Sequence, residues 1–276
     1  MAYRSTVALI LGVAITASTL VAPVAAIVRR HDVPDARYLV SNDYFPQLAD
    51  IPIEGEGVLI APSWVVTAAH ATQWQRVPID HVTIAGKIRN VSQVVVHPGW
   101  RQVRESDGES EASRLAARLD NDDVALLRLS EPVTDVTPAS IYTGDREVRH
   151  TVEIIGKGQT GTGKDGIADD ATHRTSLHRA QNRIESANGH WLTYRFDTGS
   201  CALPLEGIFG GGDSGGPIVM RDYGGWKLIG LTSWGWSGGH IAISDAAGRY
   251  GETAYIVRLS RYADWIDGVI APKGKG

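Results

Sequence analysis

A serine sits in a glycine-lined turn beside an acid: Gly212-Asp213-Ser214-Gly215-Gly216-Pro217. Small neighbours let a substrate backbone approach the hydroxyl closely, and N–H groups at such a turn can point at developing negative charge. A hydroxyl alone is a weak nucleophile, so this chemistry needs a base and a carboxylate to orient it. The chain offers both. His70 ends Thr67-Ala68-Ala69-His70, which follows the apolar run Ser63-Trp64-Val65-Val66, and Asp123 opens Asp123-Val124-Ala125-Leu126-Leu127. Asp122 competes with Asp123 for the acid's role.

The three motifs, in the order His, Asp, Ser, resemble the trypsin/chymotrypsin-like serine proteases from Ile27 to about Ile270. Subtilisins and α/β-hydrolases use other orders. The resemblance implies a serine endopeptidase: Ser214 attacks the peptide carbonyl, His70 moves the proton, and Asp123, directly before Val-Ala-Leu-Leu, holds the imidazole. It implies an oxyanion hole from the Gly212 and Ser214 N–H groups. It also implies that Ser233 bonds Asp123, within a Ser233-Trp234-Gly235 segment that pairs with substrate backbone. The pocket base falls at Ile208, with Gly235 and Thr253 on its walls, which implies a small or medium apolar side chain before the cut. Asp245 is a further acid that could reach this pocket. Ile27-Val28 implies a mature terminus whose ammonium pairs with Asp213, although Arg29-Arg30 stands where relatives continue Gly-Gly.

Other motifs carry less. Gly156-Lys157-Gly158-Gln159-Thr160-Gly161 fits a dinucleotide fingerprint, but loop-like residues follow it where that site needs a helix. Asp165, Asp169 and Asp170 lack calcium-ligand spacing and read as a solvated loop, and His97-Pro98 reads as structural. No metal site and no cofactor is expected. The competing functions are an esterase acting through the same serine and a protease-fold binding protein that has lost catalysis, although no triad member is missing.

These residues need a scaffold. Short runs rich in Val, Ile, Leu and Thr, broken by Gly, Pro, Asn and Asp, predict strands near 57–60, 65–67, 91–96, 124–129, 152–155, 218–220 and 227–233. The fold class is all-β. The resemblance implies two six-stranded antiparallel β-barrels, 27–140 and 141–258, with the site in the cleft between them and a terminal helix over 259–270. That helix would place Tyr262, Trp265 and Ile266 on one face. Residues 101–120 read as a short helix or an insertion, 240–252 as a second insertion, and 271–276 as a tail. Arg4, the apolar run Val7–Val21 and Val24-Ala25-Ala26 read as a signal peptide cut after residue 26. The location is then secreted or periplasmic, with no membrane association after cleavage.

A net charge of −4 without a basic block argues against nucleic acid as a partner. The expected partners are polypeptide substrates and protein inhibitors, and the expected state is a monomer. Cys201 is the one cysteine, so it can form no internal disulfide. It reads as a buried or idle thiol, with an intermolecular bridge as the alternative. Family members from animals usually carry several cysteines, so the resemblance points to an exported bacterial member.

Overall fold

The computed structural model describes residues 27–73, 78–103, 109–167, 176–241 and 247–271. The expected leader, Asp169, Asp170, Asp245 and the tail beyond Ala271 lie outside the described residues. Among the described residues no helix is long and apolar enough to cross a membrane.

The first strand, β1 (Ile27–Arg29), precedes a closed barrel of six: β2 (Leu48–Asp50), β3 (Glu56–Ala61), β4 (Trp64–Thr67), β5 (His81–Ile84), β6 (Lys87–Val96) and β7 (Ala125–Leu129). Their order around the ring is β2-β3-β4-β7-β6-β5. Successive strand residues face opposite ways, and here both faces are used. Leu59, Val65 and Leu127 pack inward with Ile51, Val82 and Ile84. Their neighbours Val58, Val66 and Leu126 pack outward against Leu231, Trp234 and Val257 of the second half. The near-continuous apolar runs of β3, β4 and β7 follow from that double burial.

The second half holds β8 (Thr151–Gly156), β9 (Thr160–Thr162), β10 (Gly166–Ile167), β11 (His178–Arg183), β12 (Ser186–Asn188), β13 (Trp191–Arg195), β14 (Gly207–Ile208), β15 (Pro217–Asp222), β16 (Gly225–Ser237), β17 (His240–Ile241) and β18 (Thr253–Arg258). One sheet runs β11-β8-β15-β16-β18-β13-β12, with β17 on β16, and a second runs β10-β9-β1-β14. The second barrel is thus a half-barrel among the described residues, its strands divided between these two sheets. The N-terminal strand β1 inserts between β9 and β14 in the smaller of the two sheets.

Among the described residues three α-helices accompany the strands: α1 (Ala69–Gln73), α2 (Glu111–Leu119) and α3 (Ala263–Ile270). A 3-10 turn at Leu259–Arg261 precedes α3, whose Ile266 is buried beside Tyr262. The segment joining the halves is anchored by a buried bidentate pair, in which the Arg258 guanidinium donates to both Glu147 carboxylate oxygens at 2.8 Å. Cys201 is exposed, not buried.

Candidate active site

His70 stands in α1, immediately after β4, and Asp123 stands at the entry to β7. The strands β4 and β7 pair, Thr67 opposite Ala125, so the ladder itself brings base and acid together. His70 Nδ1 lies 2.6 Å from Asp123 Oδ2, and the His70 backbone N–H donates to Asp123 Oδ1 at 2.8 Å. The Ser233 hydroxyl donates to Asp123 Oδ2 at 2.5 Å. Ser233 is free to turn this way because the register of β16 on β18 slips between Thr232 and Trp234. Such a bulge re-aims one side chain out of a regular ladder. Burial opposes charge on Asp123, which is 4 % exposed. The facing His70, its ring and backbone N–H bonds, and the Ser233 hydroxyl overcome that and hold the carboxyl below its usual range.

Asp122 faces elsewhere. It accepts from the Tyr262 hydroxyl at 2.8 Å and lies 2.6 Å from His190 Nδ1 and 3.2 Å from His97 Nδ1. His97 packs edge-on against Tyr262 and Trp265, which tie α3 to the first barrel.

Ser214 occupies a turn whose glycines at 212 and 215 have φ of 93° and 79°, in the region L side chains rarely enter. The neighbouring carboxylate fastens that turn. Gly158 N–H donates to Asp213 Oδ1 at 2.6 Å and Gly210 N–H donates to Oδ2 at 2.7 Å. The N–H groups of Gly212 and Ser214 have no protein acceptor among the described residues. Free donors on a fixed turn beside a serine are what a developing oxyanion needs. The Gly156–Gly161 motif runs from the end of β8 into β9 with no helix directly after it, and its Gly158 N–H serves this turn.

His70, Asp123, Gly212, Ser214, Ser233, Trp234 and Gly235 line one cavity of about 710 Å³. Two expected pocket residues are not on its wall. Ile208 is fully buried, opposite Val28 in β14, and the next residue, Phe209, lines the cavity instead. Thr253 is held in the ladder between Arg195 and Trp236, and the preceding Glu252 lines the cavity. Both differences follow from strand alternation, because adjacent residues face opposite ways. Ile167, Ile241 and Ala247 are further apolar residues lining the cavity with Phe209. Burial raises the Glu252 carboxyl to about 7, and Gly248 N–H donates to its Oε2 at 2.6 Å.

The 101–120 segment builds one side of the cleft. Arg101, Gln102, Val103 and Arg118 line it. Arg118 lies over the Trp234 ring at 5.9 Å, and Trp191 Nε1–H donates to the Leu119 carbonyl at 3.0 Å. Sequence patterning left a short helix or an insertion open and did not place it, since a charged Ala/Leu/Arg segment reads the same on any surface. Ile27 is fully buried, in register with Thr160, two residues beyond Gly158 and its bond to Asp213. No direct contact between Ile27 and Asp213 is among the described interactions.

The Trypsin family model matches residues 40–266. Among solved structures, the fold is similar to neuropsin, a serine protease expressed in the limbic system of mouse brain. The TM-score is 0.61 at 20 % identity, covering 84 % of this chain and 98 % of that one.

Proposed function

The chain belongs to the trypsin family and is a serine-type endopeptidase, and on that premise we propose that it is an exported enzyme whose catalytic residues are Ser214, His70 and Asp123. The observation that carries the assignment is the bonded His70–Asp123 pair on the same cavity wall as Ser214. His70 takes the Ser214 proton through Nε2 as Oγ attacks the carbonyl carbon of the scissile bond. Asp123 fixes the tautomer with the proton on Nδ1 and stabilises the imidazolium. The Gly212 and Ser214 N–H groups receive the oxyanion; each such donor is worth about 3 kcal/mol in the transition state. The tetrahedral adduct collapses as His70 gives the proton to the leaving amine, and an acyl-enzyme forms. Water attacks the ester with His70 again as base, and the free acid leaves.

Substrate backbone pairs with Ser233-Trp234-Gly235 as an added strand. The side chain before the cut meets the apolar lining that includes Phe209, which supports an apolar preference. The Ile27-Val28 terminus left by signal cleavage supplies an ammonium for Asp213. The partners are extended polypeptides and protein inhibitors, met outside the cytoplasm by a monomer.

A phosphonylating reagent should label Ser214 and stop peptide hydrolysis. Ser214→Ala should lose turnover by roughly 10⁶-fold while its melting transition is retained. Near-normal peptidase activity in that variant would reject the mechanism.

A further inference from the structure

Two buried carboxyl groups lie near one another beneath the nucleophile turn. Glu56, at the start of β3, is 2 % exposed, and Asp213 is 0 % exposed. Adjacent residues of one turn cap one oxygen of each: Lys157 N–H donates to Glu56 Oε1 at 2.7 Å and Gly158 N–H donates to Asp213 Oδ1. The other oxygen of Glu56, Oε2, is buried and has no hydrogen-bond partner among the described residues. It lies on the Asp213 side. A Cβ added to Gly156 would strike Asp213 Oδ1 and stand 3.1 Å from Glu56 Oε2. One added to Gly216 would stand 2.5 Å from Glu56 Oε2 and 2.8 Å from the Asp213 carbonyl oxygen. The two acids therefore approach through a gap that only glycines leave open.

Glu56 is also coupled to the nucleophile through its main chain. Its N–H donates to the Ser214 carbonyl at 2.8 Å, and its own carbonyl accepts from the Thr67 hydroxyl at 2.6 Å, three residues before His70. A change in charge at Glu56 acts directly on the segments that carry both residues.

We propose that Glu56 is a positioning residue whose Oε2 carries a proton donated to Asp213, so that this buried acid–carboxylate bond holds the Gly210–Ser214 turn in the shape that presents its N–H groups. The inference rests on reading those N–H groups as the oxyanion hole. One shared proton removes two problems together, the orphaned oxygen and the repulsion of facing carboxylates. The surroundings favour it. Burial and then the charge of Asp213 raise Glu56 well above the usual carboxylate range, and burial raises Asp213. Asp50, opposite Glu56 on β2, adds a like charge, while Lys157 beside Glu56 and His178 on β11 beside Asp213 oppose the rise. Tyr194 on β13 senses Asp213 as well. With the Ile27 ammonium in place, a neutral Glu56 leaves the pocket with one positive and one negative charge. The protonated pair is the active form, and it is lost as pH rises through its folded-state titration.

The test compares the full chain with Glu56→Gln and Glu56→Ala. At neutral pH, the wild-type minus Glu56→Gln infrared difference spectrum should contain a protonated-carboxyl C=O band, since the bands of Glu206 and Glu252, raised to about 7, are common to both proteins and cancel. Glu56→Gln, which keeps a donor but cannot ionise, should retain kcat within about threefold and lose the alkaline decline that the pair causes. Glu56→Ala should lower kcat at least about tenfold with a smaller change in KM. Absence of the band from the difference spectrum, or equal damage in the Gln and Ala variants, would overturn the shared proton. The band is read without turnover, so its absence rejects this inference alone, whereas an active Ser214→Ala rejects the catalytic reading.

Discussion

Asp122 and Asp123 are chain neighbours whose carboxyls serve different histidines. Asp123 faces His70 and Ser233, whereas Asp122 faces His97, His190 and Tyr262. A tight turn, in which Val124 N–H donates to the Asp122 carbonyl at 2.8 Å, divides them. Removing each acid should separate catalysis from docking. Asp123→Asn should lower kcat by about 10⁴-fold with little change in melting temperature, because the wrong imidazole tautomer is held. Asp122→Ala should leave kcat within a few-fold and lower stability by about 1–3 kcal/mol, because the Tyr262 hydroxyl and two histidines lose their acceptor. Steady-state kinetics and thermal melts on the two variants check this, and the opposite pattern would exchange the two roles.

The specificity expectation now rests on Phe209 rather than Ile208. With Phe209, Ile167, Ile241 and Ala247 on the cavity wall, cleavage of a peptide library should favour apolar residues before the cut. Phe209→Ala should widen that preference toward larger side chains. A strong preference for Lys or Arg would instead make Glu252 the pocket's determinant, since its carboxyl is on the same wall.

How much of this was legible in the sequence depends on what each feature is made of. The motifs carry residue type and local context together, so the proximity of His70 and Asp123 and the cavity they share with Ser214 could be expected without coordinates. The apolar runs were equally legible, because β3, β4 and β7 bury both faces. The pocket was not, since Ile208 and Phe209 differ only in which way a two-residue strand turns its side chains. Glu56 carried no signal either. A glutamate before a strand reads as solvated, and only the glycines at 156 and 216, far apart in sequence, reveal that it is buried against Asp213.

Two further carboxyls should leave a mark on stability. Burial raises Glu206 and Glu252 each to about 7, from an unfolded value of 4.5. Both bind protons more readily in the folded chain. Their contribution is complete below the unfolded value and is lost as pH rises through about 7. Between pH 5 and pH 8 the wild type should therefore lose melting temperature relative to a Glu206→Gln/Glu252→Gln double variant. Thermal melts across that range on protein inactivated at Ser214 provide the measurement. Parallel curves would show that neither carboxyl is perturbed.

The N-terminal strand carries the last prediction. Ile27 is fully buried and has φ of 67°. That is the left-handed region, where a β-branched residue is an outlier costing about 1–3 kcal/mol. A cut at the peptide bond before Ile27 removes that φ constraint and leaves an ammonium in its place. The strand register already brings Ile27 beside Thr160, close to the backbone that caps Asp213. Pairing of this ammonium with Asp213 would neutralise a buried carboxylate and stiffen the turn that bears Gly212 and Ser214. Protein beginning at Ile27 should therefore turn over peptides at least about tenfold faster than the same chain carrying a short removable extension. Removing the extension should restore the difference, with the N-terminus sequenced before and after assay. Equal turnover in both forms would reject this switch without bearing on the His70–Asp123 pair, which is positioned by β4 and β7 rather than by β1.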